Sequence, residues 1–309
     1  MKFSRVPRFA LIMAFFCSVS STVSLAVEPM LQDKQWNHGA RDCASSIDPA
    51  IEIYAYSSTS FILRQNKCLS YEAPFMYVLI GEERALLLDT GATDDAAEFP
   101  LYEAVRSLVG DKELLVVHSH GHRDHRSADS QFEDIEGVTL VGTDKDALIE
   151  ALSISAWPAG EGLINLGNRE LIVLPIPGHQ EESIALYDSQ TQWLLTGDTV
   201  YPGMVYVKSW ADYRDSIARL ATFADEHVVS VVLGAHIEAT HRQGEFYDIG
   251  TVFQPDEAPL PMDPEMLSML NAQLQPLTKA SEVELARLKV VPMNLMQRSL
   301  TDFARWVSE

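Results

Sequence analysis

The densest chemistry in the chain is the run His118-Ser119-His120-Gly121-His122-Arg123-Asp124-His125. Imidazole and carboxylate are the ligands that zinc and similar divalent ions take readily. The run follows the apolar stretch Leu114-Leu115-Val116-Val117, and a strand ending in a turn can aim several side chains at one point without helical periodicity. His120 and His122 can then hold one ion while Asp124 and His125 face a second. Three further pieces lie at the same kind of place, the end of an apolar stretch: Pro177-Gly178-His179, Gly197-Asp198-Thr199 and Gly234-Ala235-His236. The glycine before His179 permits close approach of the backbone.

Taken in order, these motifs resemble those of the metallo-β-lactamase superfamily. The family's HxHxDH signature is similar to the stretch from His120 to His125, and its early Leu-Asp-Thr-Gly element to Leu88-Asp89-Thr90-Gly91. The resemblance covers residues 50–245. It implies an α/β fold, the αββα sandwich, with a site for two divalent metal ions, zinc foremost and iron or manganese as the other candidates. By the same resemblance His120, His122 and His179 would hold the first metal, and Asp124, His125 and His236 the second. Asp198 would bridge both, and Asp89 would accept hydrogen bonds that keep the metal loop in shape. His118 replaces a residue that is not a ligand in the family and reads as structural. His38, His227 and His241 fit no motif, although His241 is placed for a pocket rim.

Two adjacent cations lower the pKa of a bridging water and polarise a scissile carbonyl or phosphoryl oxygen. Asp124 is then a catalytic candidate as well as a ligand, able to orient the nucleophile or accept its proton. The reaction class is hydrolysis of a small-molecule substrate. True β-lactamases of the family usually carry cysteine or serine where this chain has Asp198, whereas thioesterases, lactonases and phosphodiesterases carry aspartate. An ester, thioester or lactone is therefore expected ahead of a β-lactam. Glyoxalase II relatives usually read Pro-Gly-His-Thr followed by a Gly; here the run is His179-Gln180-Glu181-Glu182-Ser183, and the departures Glu181 and Glu182 speak against a glutathione thioester. A mononuclear-iron sulfur dioxygenase would not need His125 or His236, and a metal-binding accessory protein without turnover is the remaining alternative.

Alternating strands and helices must position these residues. Strands are expected over 51–56, 60–64, 75–80, 85–89, 113–118, 138–141, 170–174, 182–187, 192–196 and 228–233, with helices over 101–109 and 144–152. Gly81-Glu82-Glu83 reads as a hairpin turn, and Tyr213, Ile217, Leu220 and Phe223 fall at helical spacing. Strands followed by helices, given twice, predict two sheets packed face to face with helices outside. The catalytic domain is expected over 27–254 and a helical extension over 255–309, where Asp263-Pro264 and Ser281-Glu282-Val283-Glu284 read as helix starts and Pro276 as a break. Pocket walls are expected from the loops 201–210 and 239–247, with Tyr201, Tyr206 and Trp210 as candidates.

The first residues read as an address. Lys2, Arg5 and Arg8 precede an apolar run over 9–19 and then Ser24-Leu25-Ala26, the layout of a secretory signal peptide. Cleavage is expected after Ala26, with the protein periplasmic or secreted and no membrane-spanning segment left behind. Cys17 has no lipobox around it. The chain of 309 residues is 47% hydrophobic and 22% charged, which excludes a wholly disordered chain, and its formal net charge is −21. Loss of three basic residues with the signal makes the charge still more negative, which argues against a nucleic-acid partner. In an oxidising compartment Cys43 and Cys68 could pair.

Overall fold

The structure is a computed structural model that describes Met1 and residues 30–298. Apart from Met1, the expected signal peptide therefore lies outside the described residues. The first sheet runs in the order β1 (Ile51–Ser57), β2 (Ser60–Gln65), β3 (Phe75–Ile80), β4 (Arg84–Leu88), β5 (Glu113–Val117) and β6 (Val138–Leu140). Gly81 to Glu83 join β3 to β4 as the expected hairpin. Helix α1 (Leu101–Val109) then carries the chain over to β5, which pairs parallel to β4 with Leu88 opposite Val117. That register sends Asp89 and His118 off the same edge of the sheet.

The second sheet has the order β12 (Val231–Gly234), β10 (Trp193–Gly197), β9 (Ile184–Asp188), β8 (Glu170–Pro175) and β7 (Gly162–Asn165). Strands β10 and β12 are parallel, with Gly197 opposite Gly234, and β8 runs the same way because both it and β10 are antiparallel to β9. His179, Asp198 and His236 therefore all follow strands that end at one edge.

Layering follows from burial. Strand β3 is buried at every position because it is covered on both faces. Tyr77, Leu79, Leu86 and Leu88 meet Leu171, Val173, Leu186 and Leu195 between the sheets. Leu101, Val105 and Val109 of α1 cover the outside of the first sheet. Two short helices, α2 (Arg123–Arg126) and α3 (Lys145–Ala151), lie in the connections after β5 and β6. Helices α4 (Trp210–Glu226) and α5 (Glu265–Leu274) cover the second sheet through Ile217, Leu220, Leu267 and Leu270. This is the expected αββα sandwich. A buried ion pair also ties the sheets together. Arg169 bonds both carboxylate oxygens of Asp188, at 3.0 and 2.6 Å, and reaches across to the Thr59 carbonyl and Ser60 hydroxyl at 2.6 and 2.9 Å.

The tail departs from the expected run of helices. After α5, which ends just before Pro276 as anticipated, the chain forms a hairpin of β13 (Val283–Leu285) and β14 (Leu288–Pro292). The Ser281–Glu284 pattern that reads as a capping box thus enters a strand. The physical reason is long-range: β14 pairs parallel with β11 (Met204–Val207), and Val283, Leu285, Leu288 and Val290 are buried in the core under α4. Near the other end, Cys43 and Cys68 form a disulfide with a Cα–Cα distance of 5.3 Å. Among the described residues no helix is long and apolar enough to cross a membrane.

Candidate metal centre

The chain ends of β5, β8, β10 and β12 bring the seven expected side chains into two adjoining groups. His120, His122, His179 and Asp198 form one, and Asp124, His125, Asp198 and His236 the other, with the offered atoms of each group within 4.8 Å of one another. His120 and His122 come from the turn after β5, whereas Asp124 and His125 sit on α2. Asp198 stands between the groups. Its Oδ2 lies 3.8 Å from Nε2 of both His120 and His179, and its Oδ1 lies 3.4 and 3.3 Å from Nε2 of His125 and His236. Asp124 Oδ2 is 3.2 Å from those same two nitrogens. Nδ1 of His122 is 3.2 Å from Nε2 of His179.

Four of the five clustered histidines have a partner on the ring nitrogen that faces away from the cluster. His179 Nδ1–H donates to the Tyr206 carbonyl at 2.7 Å, and His236 Nδ1–H to the Glu72 carbonyl at 3.0 Å. His125 Nδ1–H donates to Asp89 Oδ2 at 2.9 Å. Ser119 gives its hydroxyl proton to Asp89 at 2.9 Å and accepts from His120 Nδ1–H at 3.1 Å, while its backbone N–H donates to Asp89 Oδ1 at 2.7 Å. These bonds place the ring protons outside and turn Nε2 lone pairs inward, the tautomer a metal ligand requires. Asp89 holds this position with a left-handed backbone, φ +67°.

Fit to a cation is visible in what the protein leaves unpaired. His120 Nε2 and Asp198 Oδ1 are buried without a hydrogen-bond partner, and both point into the space the other ligand atoms surround. Electrostatics divides the two groups. Burial drives His120 well below the ordinary histidine range, with His125 and His122 adding to it. Burial and the neighbouring His179 bring His122 down to about 3, and burial lowers His179 as well. For His125 and His236 burial also opposes the proton, but the carboxylates of Asp124 and Asp198 outweigh it and raise both. Burial likewise works against charge on Asp124 and Asp198, yet His125 and His236 hold both carboxylates well below their usual range. The first group is three neutral imidazoles; the second pairs imidazoles with acids. Both donor sets suit a divalent cation.

Other expectations find different places. His118 is buried and bonds Asp129 at 2.8 Å, and Thr90 bonds the same carboxylate at 2.7 Å, so His118 braces the loop and faces neither group. His241 and His38 line a separate cavity of about 450 Å³ between the segment Gln32 to Trp36 and residues 254–259, and none of the seven residues lines it. His227 stacks on Phe223. Tyr201 packs its ring against His236 at 5.6 Å. Tyr206 contributes its carbonyl, and Trp210 is buried with its Nε1–H on the Leu277 carbonyl at 3.2 Å, a packing role. Ser119 and the Glu72 and Tyr206 carbonyls were not anticipated. Ser119 lies inside the motif and could have been flagged; a backbone carbonyl carries no residue-type signal.

Residues 72–236 match the metallo-β-lactamase superfamily. The human acyl-coenzyme A thioesterase MBLAC2 is 28% identical over 233 residues, covering 60% of this chain and 82% of that protein. A hydroxyacylglutathione hydrolase from Anaeromyxobacter dehalogenans is 30% identical over 130 residues, covering 41% of this chain and 46% of its own length. Among solved structures, a metallo-β-lactamase from Pontibacter korlensis superposes with a TM-score of 0.51 at 20% identity, over 74% of this chain and all of its own.

Proposed function

Because the chain is a hydrolase belonging to the metallo-β-lactamase superfamily, we propose that it works with two divalent cations, as an exported protein, on an ester, thioester or lactone. The observation that carries this reading is Asp198, whose two oxygens face the two groups separately. A cysteine or serine there would offer a single atom. Thioesters come first within the class, because the thioesterase relative covers most of its own length. The likeness to a β-lactamase structure, at 20% identity, carries the fold and nothing of the substrate. Export is supported by the Cys43–Cys68 disulfide, since such bonds persist in oxidising compartments.

His120, His122 and His179 would hold one divalent cation and Asp124, His125 and His236 another, with Asp198 available to both; such a pair would make hydroxide available at neutral pH and polarise a scissile carbonyl. The protein's own part is orientation. His120, His125, His179 and His236 are locked by their outer hydrogen bonds, so little reorganisation remains when substrate arrives. Asp124 is 21% exposed where Asp198 is 10%, which leaves it the more open to solvent of the two and able to orient an attacking water as a hydrogen-bond acceptor.

The test is a panel of acyl thioesters, aryl esters, lactones, phosphodiesters and nitrocefin, run beside metal analysis of the purified chain. Thiol release from a thioester with two zinc ions per chain is the expected result, and His122→Ala should abolish turnover while leaving thermal unfolding close to wild type. One iron per chain, or nitrocefin as the only substrate turned over, would overturn the reading.

A further inference from the structure

Gly121 stands between His120 and His122, and its backbone N–H donates to Glu182 Oε1 at 3.1 Å. Glu182 is 2% exposed. Burying a carboxylate is unfavourable unless protein donors replace its water, and one donor that does so here is the backbone of the turn between two candidate ligands. The loop that carries Glu182 also carries His179. That loop is closed on itself, with Gly178 N–H on the Gln180 carbonyl at 3.0 Å and Gln180 N–H on the Ser183 hydroxyl at 3.1 Å. It meets the histidine turn a second time through Ile184 N–H on the Ser119 carbonyl at 2.9 Å. Two bonds thus join the segment bearing His179 to the segment bearing His120 and His122. A Cβ on Gly121 would lie 2.8 Å from Glu182 Oε1, so glycine at this position is what lets the carboxylate close on the turn.

We propose that Glu182 is a positioning residue for the first cation: by holding the Gly121 N–H it sets His120 and His122 at their distance from His179. This rests on the two-cation reading above. Glu182 sits in the run that departs from the glyoxalase II pattern, and the departure acquires a role: its side-chain oxygen supplies the acceptor for a buried backbone donor.

The experiment is a Co²⁺ titration of the metal-free full chain followed by visible absorption, with Zn²⁺ competition for affinities. His122→Ala and His236→Ala identify which uptake step belongs to which group. Glu182→Leu should weaken the step that His122→Ala abolishes by about tenfold or more, with the other step at its wild-type affinity. Glu182→Gln keeps a carbonyl oxygen in place and should restore the first step. Should Glu182→Leu fail to fold, Glu182→Asp keeps the charge but withdraws the oxygen, and should show the same selective loss. Equal weakening of both steps, wild-type binding in the Leu and Asp variants, or a Gln variant as weak as Leu would overturn the inference alone. A wild-type chain that takes up no second cation removes the proposed function, and a chain that takes up none removes both.

Discussion

Asp89→Asn isolates the part played by proton placement. The substitution keeps shape, and asparagine tolerates the left-handed backbone that Asp89 adopts at φ +67°. What changes is the count of acceptors. Asp89 receives three donors on two oxygens: Ser119 N–H at 2.7 Å on Oδ1, and Ser119 Oγ–H and His125 Nδ1–H, each at 2.9 Å, on Oδ2. Asparagine offers one oxygen and an NH₂ group. If the NH₂ faces His125, the imidazole must present a lone pair at Nδ1 and carry its proton at Nε2, the atom that lies 3.2 Å from Asp124 and 3.4 Å from Asp198. A protonated Nε2 cannot coordinate. If the amide flips, NH₂ faces the fixed Ser119 N–H, and a buried donor is stranded at about 1–3 kcal/mol. Loss of such an outer partner typically lowers metal affinity about 10–100-fold, or about 1.4–2.7 kcal/mol. Stepwise cation affinities measured against a chromophoric chelator should show that loss at the His125–His236 step. Unchanged second-step affinity in a folded Asp89→Asn protein would refute the tautomer reasoning.

Three further outcomes are expected. Arg169→Met leaves Asp188 buried beside only its Thr191 and Gln190 donors, so urea unfolding should show a loss of about 3–5 kcal/mol, with a substantial part recovered in the Arg169→Met/Asp188→Asn double variant; additive losses would contradict a coupled pair. Lys67, 2% exposed, has its pKa lowered to about 8, chiefly by burial and next by Arg64. A folded value below the unfolded one means that the unfolded chain binds more protons above pH 8, so wild-type stability relative to Lys67→Met should rise by about 1–2 kcal/mol between pH 8 and 9.5; a flat difference would contradict this. Cys43→Ser/Cys68→Ser opens a loop of sequence separation 25 and should lower stability by about 3 kcal/mol, read as an earlier denaturation midpoint, whereas an unchanged midpoint would show that the clip does not constrain the unfolded chain.

The reach of sequence reading in this chain follows the range of the forces involved. Strands such as β3 and β5 are legible because they are apolar runs, and α1 because its buried residues Leu101, Val105 and Val109 repeat at helical spacing. The same is true of the residues brought together at the strand ends, since imidazole and carboxylate announce themselves by type. Strands β7 and β13 are short and alternate buried with exposed residues, so local pattern says little. The tail hairpin is missed because Ser281 to Glu284 satisfies a local helix-start rule, while its partner β11 lies far back in the chain. The supports of His179 and His236 are missed for another reason: Tyr206 and Glu72 act through carbonyls, which every residue possesses.

The pairing of β14 with β11 has a consequence in time. Tyr206, whose carbonyl holds His179, lies on β11 opposite Val291. All of the clustered histidines and aspartates precede that partner strand in the chain. During synthesis from the N-terminus, every side chain of the centre therefore leaves the ribosome before the strand that steadies one of its backbone supports. A chain interrupted ahead of residue 288 would hold the full set of ligands and still lack part of the frame that aims them. The aim of His179 thus depends in part on a strand that lies after every ligand in the chain.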